Sequence, residues 1–112
     1  MENHLELENR RNARRISRLL NIRYVHQGGS IQAGSALDIS ETGARLVLDE
    51  NESFPQELTV EFEGKLAMLA RTVWEQPVAG KKRVVGVVFE GIHWGQRVAL
   101  EDYLFDLEHR AA

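Results

Sequence analysis

Leu58-Thr59-Val60-Glu61-Phe62, followed by Glu63-Gly64-Lys65 and then by the apolar run from Leu66 to Trp74, is the part of the chain that speaks most plainly about architecture. Leu58, Val60 and Phe62 alternate with Thr59 and Glu61, the period-two pattern of a strand with one dry and one wet face. Glu63-Gly64-Lys65 has turn chemistry. The same pattern extends in both directions. Leu20, Ile22 and Tyr24 alternate with Asn21 and Arg23; Ile31, Ala33, Ser35, Leu37 and Ile39 alternate with a set including Gln32, Asp38 and Ser40; Ala44, Leu46 and Leu48 repeat it; and a further run spans Arg83 to Phe89. Breaks fall at Gly28-Gly29-Ser30, Glu41-Thr42-Gly43, Asp49-Glu50-Asn51-Glu52 and Pro77-Val78-Ala79-Gly80. Turns spaced by roughly 8–12 residues predict an all-β barrel or sandwich. The period changes near the C-terminus, where Leu100, Tyr103, Leu104 and Leu107 form one stripe of a short amphipathic helix, read as a lid on the barrel, with Asp106 and Arg110 as an i,i+4 pair.

The chain has 112 residues, of which 43% are hydrophobic and 28% charged, a balance that suits one domain with one core. With no cysteine, a disulfide framework, thiol catalysis and cysteine-held metals are excluded. The longest apolar run, Val84 to Phe89, is far too short to span a bilayer, and Met1 to Glu8 has no apolar core of a secretory signal, so the expectation is a cytoplasmic protein without membrane insertion. His4, His26, His93 and His109 have no metal-ligand spacing, and no nucleophile elbow or phosphate-binding glycine loop is present. A binding protein without catalytic or metal site, and not an enzyme, is therefore expected.

Charge is unevenly placed. Arg10, Arg11, Arg14, Arg15, Arg18 and Arg23 lie in fourteen residues without an acid; with a net charge of −3 overall, that +6 segment leaves −9 on the rest. Arginine alone, with no lysine, favours two-pronged recognition of phosphate or of a base edge. Within the segment, Arg11 and Arg15 stand at an R-x-x-x-R spacing, preceded by Arg10. Further on, Asp38-Ile39-Ser40-Glu41-Thr42-Gly43 reads D-x-S-x-x-G where a strand enters a turn. Period two sends Leu37 and Ile39 toward the core and Asp38 and Ser40 outward together. Gly43 supplies a positive-φ turn residue or clears space for a ligand. A turn held by Asp38 and Ser40 side chains is the competing structural reading of the same residues.

In this order, with a strand between them, the two motifs resemble the PilZ domain family. Gly43-Ala44-Arg45-Leu46, the Gly86-Val87-Val88-Phe89 strand and the closing helix from about Gln96 to Glu108 extend the resemblance over most of the chain. It implies an all-β-dominated fold: a six-stranded antiparallel β-barrel over 18–92, a flexible basic N-terminal arm over 1–17 and a C-terminal α-helix in 93–112, all one domain. It also implies a ligand, the bacterial second messenger cyclic di-GMP, with the arginines of the arm wrapping over it and the D-x-S-x-x-G turn lining the other side. The ligand-binding set is then Arg10, Arg11, Arg15, Asp38, Ser40, Gly43 and Trp74, the tryptophan stacking near the guanines. Arg10 implies two stacked ligand molecules per chain. No other cofactor is expected. An unidentified effector protein would read the ligand-driven change.

The chemistry suits these residue types. Arginine donates in parallel to guanine O6 and N7 or clamps phosphate, and an outward Asp38 carboxylate would accept from guanine N1 and N2, a donor pair adenine lacks. Two other readings stay open. One is a ligand-independent protein-interaction module. The other, an RNA- or single-stranded-DNA-binding barrel, is disfavoured by a pI of about 5.8 and a thin basic footprint outside the one segment.

Overall fold

In the computed structural model, which describes residues 15–26, 29–49, 57–80 and 82–110, the stretch around Glu63 is a hairpin. Its strands are β4 (Glu57–Phe62) and β5 (Leu66–Val78). Glu63 and Gly64 both take positive φ (55° and 72°), and the Lys65 N–H closes on the Phe62 carbonyl at 2.8 Å. Two consecutive positive-φ residues give the turn a twist that matches the strands it joins.

Four more strands, β1 (Ile16–His26), β2 (Gln32–Ile39), β3 (Gly43–Leu48) and β6 (Lys82–Phe89), complete a closed antiparallel barrel in the order β1-β2-β3-β6-β5-β4, with β4 pairing back onto β1. The expected six-stranded barrel is present. Leu20, Ile22 and Tyr24 of β1, Leu46 and Leu48 of β3, Leu58, Val60 and Phe62 of β4 and Met68 and Ala70 of β5 all face the interior and are buried. Each of the larger aliphatic and aromatic side chains among these contributes roughly 1.5–3 kcal/mol by leaving water. The helix α1 (Trp94–His109) closes one side with Leu100, Tyr103, Leu104 and Leu107, the stripe read from the sequence. Its first turn is capped by His93, whose Nδ1 accepts from the Gln96 N–H at 3.2 Å. Gln96 donates to the Ala67 carbonyl of β5 at 3.1 Å, and Arg18 of β1 donates to the Leu107 carbonyl at 3.3 Å, so both ends of α1 are tied to the barrel. Arg110 pairs with Asp106 at 2.7 Å as the i,i+4 spacing suggested. No described helix is long and apolar enough to cross a membrane.

β2 departs from its expected phase. Ala36 and Ile39 are fully buried, Leu37 is only half-buried, and Ile31, just outside the strand, is 69% exposed. The pairing of β2 with β3 slips between Ala36 and Asp38, and that with β1 slips between Ser17 and Leu20. An extra residue in a ladder reverses the alternation beyond it. Beyond the slip Asp38 and Ser40 alternate with inward Ile39, and Asp38 shares the face of its partner Arg45, yet both are buried, Asp38 because the Arg15 and Arg45 side chains lie over it.

Candidate ligand-binding site

The irregularity in β2 brings a carboxylate into a place where it must be answered. Asp38 pairs across the sheet with Ser17 of β1 on one side and Arg45 of β3 on the other. Its side chain is 2% exposed. A buried carboxylate is tolerated only when donors surround it. Here Oδ1 accepts the Arg45 backbone N–H at 3.0 Å, while Oδ2 accepts Arg45 Nε at 2.7 Å and Arg15 Nη1 at 3.3 Å. The two guanidiniums stay about half exposed. Asp38 is thus a buried anchor beneath two surface cations.

Ser40 organises the turn after it. Its Oγ accepts from the Thr42 and Gly43 N–H groups at 3.2 and 3.3 Å and lies 3.3 Å from the Gly43 carbonyl, to which it donates; the Ser40 N–H reaches the same carbonyl at 2.8 Å. Gly43 is not a positive-φ residue. What needs its missing side chain is the adjacent strand, because a Cβ there would collide with the Val87 carbonyl oxygen of β6. Ser40 thus does the turn-holding work that the competing reading gave it, while Gly43 clears space for β6.

Across β3 and β6 the far wall is Trp74, 44% exposed and in the middle of β5, where the ladder with β6 slips between Thr72 and Trp74. Its indole covers Gly86, the residue it faces in β6. Arg15, Ser40, Thr42, Gly43, Arg45, Trp74 and Gly86, with Val73, Ala44, Val87 and Val88, line one open groove of about 340 Å³. Of the residues named from sequence, the structure gathers Arg15, Ser40, Gly43 and Trp74 around this groove, with Asp38 supporting it from below. Arg10 and Arg11 lie outside the described residues.

Arg45 and Gly86 lie in segments that carry the family resemblance, but the sequence does not mark either as a site residue. Arg45 follows the D-x-S-x-x-G motif by two positions and alternates with buried Ala44 and Leu46, which marks it as outward-facing, but only the register across β2 reveals Asp38 beneath it. A larger hollow of about 490 Å³ lies over β1 and is lined by Asn21, Arg23, Ala33, Glu61 and Glu63 among others. Two carboxylates against one guanidinium make it a poor host for an anion. The groove over Asp38, with two guanidiniums and an indole, is the better match for a phosphate-bearing aromatic ligand. Among the described residues no cluster of histidine, aspartate and glutamate could hold a metal ion.

The PilZ domain family model matches residues 9–106, and the chain belongs to that family. Among solved structures it is similar to the Bacillus subtilis inhibitor of motility, MotI/DgrA (TM-score 0.65, 18% identity, 87% of this chain and 51% of that one), so it spans about half of that protein's length. It is also similar to the PilZ domain of CeSA from a cellulose-synthesizing bacterium (TM-score 0.64, 20% identity, 85% and 98% covered). A third is the PilZ domain of Escherichia coli YcgR, solved with c-di-GMP (TM-score 0.61, 15% identity, 84% and 88% covered). At such identities the likeness is one of fold. No curated protein matches the sequence.

Proposed function

We propose that this domain is a receptor for cyclic di-GMP, a binding module and not an enzyme. The observation that carries the reading is the groove itself: the Arg15 and Arg45 guanidiniums stand over a shared buried carboxylate, opposite the Trp74 indole. Cations for phosphates and an aromatic face for a purine are what a cyclic dinucleotide asks of a protein. Membership of the PilZ family and the c-di-GMP held by the similar YcgR domain support the choice of ligand. Arg11 and Arg10, a few residues before Arg15, complete the cationic set from the N-terminal side, and Arg10 makes the stoichiometry two ligands per chain. Binding orders the basic segment over the groove, and an effector protein reads the altered surface in the cytoplasm.

Isothermal titration with cyclic di-GMP, cyclic di-AMP and GMP tests the reading. Saturable heat with cyclic di-GMP, lost in Arg11→Ala at unchanged melting temperature, is the expected result. If no nucleotide gives heat or a thermal shift, the domain is a protein-interaction module instead.

A further inference from the structure

We infer that Arg45 is the barrel's own reader of the ligand's guanine and that Asp38 is a positioning residue that aims it; the inference rests on the receptor reading above. The sequence alone assigns base reading to the carboxylate, as acceptor for guanine N1–H and N2–H. In the fold that carboxylate is occupied. A carboxylate offers about four acceptor positions, and three of those on Asp38 already take Arg45 N–H, Arg45 Nε and Arg15 Nη1. Its side chain is almost wholly covered. A parallel pair of donors from a base edge would have to displace a charge-assisted bond of 2.7 Å. The Ser40 hydroxyl is likewise engaged within its own turn.

Arg45 is in the opposite condition. Two contacts to Asp38, through backbone N–H and Nε, fix both the root and the plane of its side chain. Among the described residues its two terminal nitrogens have no protein partner, and the side chain is 47% exposed. The register supplies the rest. Arg45 pairs with Gly86, and Gly86 pairs with Trp74, so guanidinium and indole stand in one cross-strand row on β3 and β5 with only a glycine between them. Adjacent strands lie about 4.8 Å apart, and the row is therefore narrow enough for one base to touch both. A purine stacked on the exposed side of the indole turns an edge toward the Arg45 fork.

Parallel donors of an arginine match guanine O6 and N7; adenine places an amino donor where O6 would be. The selectivity then belongs to the O6/N7 edge, and the exocyclic 2-amino group contributes little. Cyclic di-IMP, which keeps O6 and N7 but lacks that amino group, separates the two assignments. In titrations of the full chain, cyclic di-IMP is expected to bind within about threefold of cyclic di-GMP, and cyclic di-AMP at least about tenfold more weakly, the range a bidentate arginine contact confers. Arg45→Lys, which keeps the charge but not the fork, should weaken cyclic di-GMP about tenfold and erase most of its advantage over cyclic di-AMP. Asp38→Asn, which loosens the hold on the Arg45 fork, should lower the preference for cyclic di-GMP over cyclic di-AMP, a ratio that a merely structural defect does not move, while leaving the cyclic di-GMP to cyclic di-IMP ratio as in the native chain. Cyclic di-IMP binding tenfold worse than cyclic di-GMP, or a native preference in Arg45→Lys, overturns the inference and leaves the receptor intact. A native chain that binds no cyclic dinucleotide overturns both.

Discussion

The indole of Trp74 occupies the volume that a side chain on Gly86 would fill: a Cβ built on Gly86 would overlap Nε1, Cε2 and Cζ2 of the ring. The glycine is a seat, and the tryptophan's position depends on it. Because the obstacle is a partly exposed side chain, Gly86→Ala displaces the ring and leaves the barrel standing. The expected result is a shift in Trp74 emission, isolated in a Trp94→Phe background, with a several-fold loss of cyclic di-GMP affinity and a melting temperature near native. Unchanged emission in the Gly86→Ala protein would contradict this geometry.

Gly43→Ala presents the contrasting case. There the obstacle is the backbone carbonyl of Val87, which cannot swing aside without opening the pairing of β3 with β6. A loss of stability of about 1–3 kcal/mol is expected, typical of forcing atoms into a packed site. Urea denaturation measures it, and a change within 0.5 kcal/mol, about the limit for uneventful surface substitutions, would show that the strands accommodate a methyl group.

Glu63 links the β4–β5 turn to α1. Burial by itself would raise its pKa, but the hydrogen bond from Tyr103 (2.7 Å) and the two from Arg110 (3.0 Å each) outweigh that and hold it below the ordinary value. A carboxylate with a depressed folded pKa stabilises fully above its unfolded value of about 4.5 and loses that contribution as pH falls through the lower folded value. Native protein should therefore lose stability between pH 5 and pH 3 more steeply than Glu63→Gln. Tyr103→Phe should cost about 1.5–3 kcal/mol at pH 7, the usual range for a hydrogen bond to a charged group. Parallel urea midpoints of the three proteins at both pH extremes would check the sign and the size.

Arg10→Leu tests the stoichiometry. Two stacked ligands bring four phosphates into the groove, and removing one guanidinium from the N-terminal segment should lower the titration from two per chain toward one. A native value of one from the outset would disprove the role given to Arg10.

Much of this architecture was legible because alternation and turn chemistry agree along β1, β3, β4 and β5, and because the stripe Leu100, Tyr103, Leu104, Leu107 has no other sensible use. β2 misled at Leu37 and Ile31, since a slip in pairing reverses the inward face without changing the composition of the segment. The site was readable as a set of residue types and not as an arrangement. Asp38 is conspicuous in the sequence for its chemistry, yet its burial and its hold on Arg45 follow from cross-strand register, which one strand's sequence does not contain. Gly43 stood out for the right reason in kind, a need for space, and the wrong neighbour, because Val87 is 44 positions away.

Arg15 immediately precedes β1, whose first residue, Ile16, is paired with Ile39 beside Asp38. Whatever path the preceding chain takes, the four residue steps of backbone between Arg15 and Arg11 span at most about 14 Å. The second guanidinium of R-x-x-x-R is thereby tethered within reach of the groove at an effective concentration on the order of millimolar. On the receptor reading proposed above, its capture of a ligand already resting on the barrel would be an intramolecular event. Weak individual contacts can then sum to a tight complex, and cutting the chain between Arg11 and Arg15 would cost far more affinity than any single arginine contributes, even with the severed peptide added back.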